Sequence, residues 1–153
     1  MKIETKQILL EFDEAGSFET PADFDYDNLI SQIEKLKVKL ETIFSSEFKI
    51  DDQIQDASFI SDLIIPNKLL IEIVNGYRYS IRFSNFGKLV TINGIENINS
   101  DNLEILQKVL TNHKFIFLEP NEIDAHYDGK FESFKSIYGG RTPTWFERYF
   151  DYL

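Results

Sequence analysis

The stretch that decides the predicted fold is LLIEIVNGYRYSIRFSNFGKLVTI, residues 69–92. Along residues 77–83, apolar side chains alternate with polar or charged ones, as in a strand that has one buried face and one solvated face. Residues 69–74 form another alternating segment, and Asn75-Gly76 between the two is a strong turn signal. The stretch therefore predicts consecutive antiparallel strands that are joined by tight turns.

The alternation also predicts the register of the first hairpin. A three-residue loop over 74–76, closed by a left-handed Gly76, pairs Ile73 with Tyr77 and sets Glu72 opposite Arg78 on the solvated face. A two-residue turn would instead place Glu72 on the apolar face. The pattern therefore favours the three-residue loop.

At the second turn, the same alternation predicts a four-residue loop over 85–88. The cross-strand pairs that follow from this loop are Phe83–Val90, Ile81–Ile92 and Arg82–Thr91.

The segments around this stretch complete an α+β prediction. Strands are predicted over 57–65 and 115–118, the second apolar on both faces as a central strand would be, with a short strand over 6–12 and a polar loop over 45–56. Apolar residues at helical spacing predict helices over 27–44, 101–112 and 143–152, and they form a helical pattern over 131–138. Ser100 is the predicted cap of the helix over 101–112. We predict a single domain, residues 1–153, with an antiparallel β-meander of four to six strands packed against three to four helices.

The last predicted helix has two candidate starts. One is Thr142 with Pro143 at the first helical position, and the other is a capping box formed by Thr144 and Glu147. The helix is rich in aromatic residues, so we expect it to dock against the apolar side of the sheet.

Composition excludes several classes of function. The chain has 153 residues with 42% hydrophobic content, which is enough for one domain with a proper core. It contains no cysteine, so disulfides, zinc–thiolate sites and thiol nucleophiles are excluded. We find no secretory signal and no apolar run long enough to span a bilayer, and we therefore expect a cytoplasmic protein without membrane contact.

The charge of the chain is uneven. The formal net charge is −10, and residues 1–62 hold fifteen acids against six bases, whereas residues 63–90 hold one acid against four bases. Such a field repels nucleic acid and attracts cationic partners. Residues 11–27 carry seven acids, no Lys or Arg, and interspersed aromatic residues.

We predict that this acidic run is the surface that binds a basic protein partner, because carboxylates and aromatic rings together suit Lys and Arg side chains. The predicted contact residues are Asp13, Glu14, Glu19, Asp23, Phe24, Asp25, Tyr26 and Asp27. The alternative is a mobile, solvated loop that has no binding role.

Two acidic groups are candidate metal sites. Residues 23–34, DFDYDNLISQIE, place carboxylates at positions one, three, five and twelve of a calcium-binding loop. However, Asn28 stands where that loop has glycine, and Gly16 and Pro21 interrupt the helix that should precede it. Asp124, His126 and Asp128 are the second candidate group, with a polar turn as the favoured interpretation.

Signatures of serine hydrolases, P-loop proteins, dinucleotide-binding proteins and zinc peptidases are absent from the sequence. The chain has two histidines, and no pair of carboxylates is marked for acid–base chemistry. We therefore expect a protein that is not an enzyme and that has no cofactor.

The segments TPTWFERYFDYL, residues 142–153, and YDGKF, residues 127–131, are similar to segments of small bacterial immunity proteins. An acidic, cysteine-free chain with helices and an antiparallel sheet also resembles that class, which includes the immunity proteins of contact-dependent inhibition. The resemblance implies an immunity-type role. With the acidic charge of residues 1–62, the acidic run and the lack of a catalytic constellation, we expect a non-catalytic inhibitor that neutralises a cationic toxin domain, above all a nuclease. We expect the protein to be a monomer or a weak homodimer.

A second hypothesis belongs to a different class of function. The chain would then be a cytoplasmic adaptor that self-associates through an apolar stripe on the helix predicted over 27–44. The stripe consists of Leu29, Ile33, Leu36, Leu40 and Ile43. A calcium-binding or other divalent-metal-binding protein is the third hypothesis.

Overall fold

The computed structural model describes residues 1–52, 61–137 and 139–151. Its fold class is α+β, as predicted, and the described residues form a mostly antiparallel five-stranded sheet and six α-helices. The strands are β1 (Lys49–Asp51), β2 (Ser61–Ile64), β3 (Ser80–Phe83), β4 (Leu89–Asn93) and β5 (Ile116–Phe117). The helices are α1 (Ile3–Phe12), α2 (Tyr26–Phe44), α3 (Ser100–Asn112), α4 (Pro120–Ile123), α5 (Glu132–Lys135) and α6 (Trp145–Tyr149).

The order of strands across the sheet is β1-β2-β3-β4-β5. The first four strands pair antiparallel with their neighbours, and β5 pairs parallel with β4. The predicted register of β3 and β4 is confirmed in all three pairs, Phe83–Val90, Ile81–Ile92 and Arg82–Thr91. This hairpin was predictable because its register depends on local alternation and a short loop.

The first predicted hairpin is wrong. Residues 69–74 do not form a strand, and the edge of β3 that was assigned to them is occupied by β2. In that pairing, Leu63 lies fully buried opposite Ile81, and Asp62 lies opposite Arg82 with an Nε–Oδ1 distance of 2.9 Å. A β-strand edge pairs with one partner only, and β2 fills it with a buried apolar pair and an ion pair.

The pairing of Glu72 with Arg78 is also wrong, since Arg78 donates to Asp51 of β1 instead. β2 falls within the strand predicted over 57–65, of which residues 57–60 lie outside the described residues. β1 lies within a segment predicted to be a loop, of which residues 53–56 are likewise outside the described residues.

Two further strand predictions need correction. Residues 6–12 belong to helix α1, which fully buries Leu9, so their alternating apolar residues do not mark a strand. Residues 115–118 contribute a two-residue strand at the edge of the sheet instead of a central strand. They are apolar on both faces because Phe115 belongs to one buried cluster of the core and Leu118 belongs to the other.

The helix predictions hold best for α2 and α3. α2 begins after Asp25, whose side chain accepts a hydrogen bond from the backbone N–H of Asn28 at 2.9 Å. α3 is capped by Asn99, one residue before the predicted Ser100. Of the helical pattern over 131–138, only α5 is formed in the described residues, and Tyr138 lies outside them.

Helix α6 begins at the capping box. The Thr144 hydroxyl accepts from the Glu147 backbone N–H, and the Glu147 carboxylate accepts from the Thr144 backbone N–H. The helix ends at Tyr149, earlier than predicted, and residues 152–153 lie outside the described residues.

The core consists of two clusters of buried apolar side chains. One includes residues of α2, α3 and the sheet, and the other includes residues of α1, α4, α5, α6 and the loops around them. Leu89 and Val90 are neighbours on β4 but belong to different clusters, because successive side chains of a strand point to opposite faces. Within the part of the chain that the structure describes, no helix combines the length and apolar character needed to cross a bilayer.

Candidate functional site

A cleft of about 300 Å³ lies between the start of α2 and the turn that joins β3 to β4. We call it the acidic cleft because Asp23 and Asp25 line it, and Lys88 lines it from the β3–β4 turn. The other lining residues are Pro21, Phe24, Asn28, Leu29, Gln32, Asn85 and Gly87. It therefore contains part of the acidic run that the sequence singled out.

The acids at this cleft are placed by the first turn of α2. Asp25 is the N-cap of the helix, Asp27 lies in its first turn, and both side chains are exposed together with Asp23. Negative side chains are favourable at this end of a helix, because the backbone N–H groups give it a partial positive charge. Phe24 is half-buried and packs against the core cluster of α2 and α3.

Tyr26 is less accessible than predicted for a contact residue. Its hydroxyl donates to the carboxylate of Asp52, and its side chain is half-buried. Burial, together with this hydrogen bond, raises the pKa of Tyr26 to about 12. Its ring therefore joins the start of α2 to the segment that follows β1.

Asp13, another predicted contact residue, is buried in the interior. Its Oδ1 accepts a hydrogen bond from Arg148 Nε at 2.9 Å, and neither side chain is exposed to solvent. Its Oδ2 accepts from the Tyr127 hydroxyl at 2.7 Å and from the backbone N–H of Lys130 at 2.6 Å. Asp13 therefore satisfies its charge inside the protein and does not belong to the exposed acidic surface.

Arg148 of α6 also binds the backbone of the acidic run, residues 11–27, at two carbonyl groups. Its Nη1 donates to the carbonyl of Phe18 and its Nη2 to the carbonyl of Glu14, each at 3.1 Å. Its guanidinium carbon lies 4.4 Å from the centre of the Phe86 ring, which covers the charged plane. One buried cation thus fixes residues 13–18 against the C-terminal helix.

The rest of the segment is held by its own polar groups. Asn85 Nδ2 donates to the carbonyl of Glu19 at 3.1 Å, and the Glu14 carboxylate accepts from the backbone N–H of Ala22 and the Ser17 hydroxyl, both at 3.3 Å. Glu14 and Glu19 are half-buried. These bonds make a mobile, fully solvated loop a poor description of residues 13–22.

Sequence reasoning missed Arg148, Tyr127 and Asn85, which position the segment. One signal was present, since Arg148 is a charged residue on a short helix whose other members include three aromatic residues. The Tyr127 hydroxyl accepts from the Phe131 backbone N–H at 2.8 Å while it donates to Asp13. Burial, and next the hydrogen bond to the Asp13 carboxylate, raise the pKa of Tyr127 above its usual value.

The structure contradicts the candidate calcium-binding loop over residues 23–34. α2 starts at Tyr26, so residues 26–34 are helical and do not wrap around an ion as a calcium-binding loop does. Asp23, Asp25 and Asp27 instead lie at or just before the first turn of α2, where negative charge is favourable.

The second proposed metal group is dispersed. Asp124 is the C-cap of α4, and the backbone of His126 bridges to Thr144. The carboxylate of Asp128 accepts from Lys6 Nζ and from Trp145 Nε1. Across residues 1–52, 61–137 and 139–151, no three His, Asp or Glu side chains are grouped so that they would hold a metal ion.

Comparison with known proteins adds no relative. No family model, no curated protein and no solved structure matches the chain.

Proposed function

We propose that this protein is a non-catalytic, acidic protein-binding inhibitor, an immunity-type protein that neutralises a cationic toxin domain such as a nuclease. The observation that carries the proposal is the acidic run, residues 11–27. Buried Arg148 holds its residues 13–18, and the start of α2 presents Asp23, Asp25 and Asp27 on the surface. The exposed part of the predicted surface consists of these three acids, with Phe24 beside them.

Charge supports a basic partner. A nuclease needs a cationic groove to bind phosphates, and an acidic protein that occupies this groove excludes the nucleic acid. The net charge of −10 attracts such a domain at long range and increases the association rate. The proposal places the inhibitor in the cytoplasm with its toxin, without direct contact to nucleic acid or membrane.

The fixed backbone of the segment supports a tight complex. A loop that is ordered before binding loses less conformational entropy on association than a mobile loop does. The three carboxylates extend from a helix start that is capped and packed on the core, so their spacing is set before a partner arrives.

Most of the apolar stripe through which an adaptor would self-associate is not accessible on the surface. Leu29, Ile33, Leu36 and Leu40 are buried in the core, and only Ile43 of the stripe is exposed. A stripe that already packs on the sheet has little area left for a second chain.

The decisive experiment uses the product of the reading frame directly upstream of this gene. Its C-terminal domain is purified, its toxicity is measured with and without this protein, and association is followed by stopped-flow fluorescence at low and high salt. We expect the protein to abolish toxicity and bind the domain. If neither happens, the immunity role is refuted.

The acidic cleft and the neighbouring Asp27 are tested together with the triple variant Asp23→Asn, Asp25→Asn, Asp27→Asn. Asparagine is an N-cap as good as aspartate, so the variant removes charge and keeps the cap of α2. We expect association at low salt to slow by about tenfold, since charge complementarity acts mainly on the on-rate.

The matched control is Glu4→Gln, Glu47→Gln, Glu104→Gln, which neutralises three exposed acids outside both proposed contact surfaces. Each triple variant changes the formal charge from −10 to −7, that is, by three unit charges. If both triple variants slow association equally, the overall charge attracts the partner and the cleft is not the contact surface.

A further inference from the structure

Residues 71–77 form an exposed apolar turn, which we call the apolar tip. Ile71, Ile73, Val74 and Tyr77 are exposed by 69%, 53%, 48% and 50%. A single exposed apolar side chain is ordinary, but four of them within one seven-residue turn concentrate apolar surface, as interaction surfaces do.

The backbone of the apolar tip is held by hydrogen bonds on both sides. The Ile71 N–H donates to the Asn97 carbonyl at 2.7 Å, and Leu70 forms a β-bridge with Ile98. The Tyr77 N–H donates to the Val74 carbonyl at 3.1 Å, and the Val74 N–H donates to the Tyr79 hydroxyl at 3.2 Å. The apolar side chains are therefore presented to solvent by an ordered turn.

A groove of about 580 Å³ lies beside the apolar tip and shares Tyr77 with it. We call it the tip groove. Its aromatic walls are Tyr77 and Phe146, and the charged residues that line it are two acids, Glu96 and Asp124. The other lining residues are Ile92, Asn93, Gly94, Ile95, Pro120 and Asn121.

The polar groups of the tip groove are suited to a cationic donor. Glu96 and Asp124 form no ion pair within the described ranges of the chain. The amide of Asn93 donates to Ser80 Oγ at 3.0 Å, which leaves its carbonyl oxygen as an acceptor. Burial, and next the Glu96 charge, raise the pKa of Tyr77, so Glu96 acts electrostatically on this aromatic wall.

We propose that the apolar tip and the tip groove form one docking surface for a protein segment that presents an arginine beside apolar side chains. A guanidinium is planar, stacks on aromatic rings and donates two parallel hydrogen bonds to a carboxylate. The apolar side chains beside that arginine would cover Ile71, Ile73 and Val74, which are exposed to solvent in the fold.

Charge decides against other occupants. In a symmetric dimer built on this surface, the same patch of each chain faces the other, so Glu72, Glu96 and Asp124 would approach their own copies. An anionic membrane would be repelled by the same carboxylates. A cationic, apolar segment satisfies both halves of the surface.

This surface is separate from the acidic cleft. The tip groove includes Asn93 at the end of β4, whereas the acidic cleft includes Lys88 just before β4 begins. At about 3.3 Å per residue, the two ends of β4 are roughly 13 Å apart. The inference therefore does not rest on the proposed contact surface, and either can fail alone.

The experiment titrates ¹⁵N-labelled protein with an acetylated, amidated pentapeptide, ILRLS, and with the same peptide in which citrulline replaces arginine. We expect saturable shifts in the amides of residues 71–77 and 93–96, and at least a fivefold weaker affinity for the citrulline peptide, because citrulline keeps the shape and loses the charge. No saturable shift, or shifts centred on residues 23–28, would overturn the proposal.

Variants separate the two halves of the surface. Glu96→Gln with Asp124→Asn should weaken the arginine peptide about five- to tenfold, since two exposed charge contacts are lost. The matched control, Glu104→Gln with Glu132→Gln, should leave the affinity unchanged. Ile73→Ser should weaken both peptides, whereas Val38→Ser, which truncates an exposed side chain on α2, should weaken neither.

Two outcomes would assign the surface to another occupant. Sedimentation equilibrium that shows a dimer abolished by Ile73→Ser would overturn the proposal in favour of a second copy. Flotation with phosphatidylserine vesicles that depends on Ile73 would overturn it in favour of a membrane surface. We expect the wild-type protein to remain monomeric and unbound in these two measurements.

Discussion

Replacement of Arg148 by leucine tests whether the buried ion pair holds the acidic segment in place. The substitution removes the partner of Asp13 and the donors to the carbonyls of Glu14 and Phe18, and it keeps an apolar side chain of similar width against Phe86. Tyr127 and the backbone N–H of Lys130 still donate to Asp13, but its negative charge then lies in the interior without the ion pair to Arg148.

The expected cost follows from the burial of both charges. Removal of one partner of a buried ion pair costs about 3–5 kcal/mol of unfolding free energy, because the remaining charge stays desolvated. Both side chains are fully buried, so solvent does not screen the loss. For a domain of this size, such a cost lowers the melting temperature by roughly 6–20 °C.

Urea denaturation measures the change, followed by circular dichroism and by fluorescence of Trp145, which stacks on Tyr149 with ring centres 5.9 Å apart. Hydrogen exchange adds a local measurement, since the Ala22 N–H donates to Glu14 and should lose protection when the segment is released. The matched control is Arg141→Leu, because Arg141 is 54% exposed in its ion pair with Glu147. An exposed pair contributes about 0–1 kcal/mol.

A double-mutant cycle completes the test. The double variant Asp13→Leu, Arg148→Leu removes both charges. Its cost in unfolding free energy should therefore be less than the sum of the costs of the two single variants. The stabilising role of the buried ion pair is refuted if Arg148→Leu costs no more unfolding free energy than Arg141→Leu, or if the effects of Asp13→Leu and Arg148→Leu simply add.

Three further substitutions test other contacts of the segment and of α6. The pKa of Tyr127 is raised in the folded state, so its contribution to stability is complete below about pH 10 and declines as the pH rises further. Tyr127→Phe should therefore reduce the loss of stability that urea titrations measure at alkaline pH. At neutral pH the same variant should cost about 1–3 kcal/mol of unfolding free energy, because the Phe131 N–H loses its acceptor. Thr144→Ala removes half of the capping box and should cost about 1 kcal/mol in the same titration, whereas Thr144→Ser should cost little. A Cβ on Gly129 would lie 2.2 Å from Asp13 Oδ2, so Gly129→Ala should destabilise the fold by about 1–3 kcal/mol, and a melting temperature equal to that of the wild type would contradict the tight packing there.

Much of the site could not be predicted from the sequence because its contacts are long-range. Asp13 and Arg148 are 135 residues apart, and no periodicity connects them. The acidic run was recognisable from composition, but which of its acids are exposed depends on α6, which takes Asp13 into the interior. Composition therefore predicted a region, and tertiary contacts selected its exposed members.

The sequence alone determined the parts of the fold whose information is local. The apolar spacing of α2 and α3 and the alternation across the β3–β4 turn specify those elements, because each depends on residues within one helix or one short hairpin. Only the tertiary structure decided that β2 pairs with β3, that β5 is parallel at the edge and that residues 71–77 stay exposed. Residues 69–74 and β2 both have a strand pattern that suits the free edge of β3. β2 occupies that edge, because its pairing buries Leu63 and places Asp62 opposite Arg82.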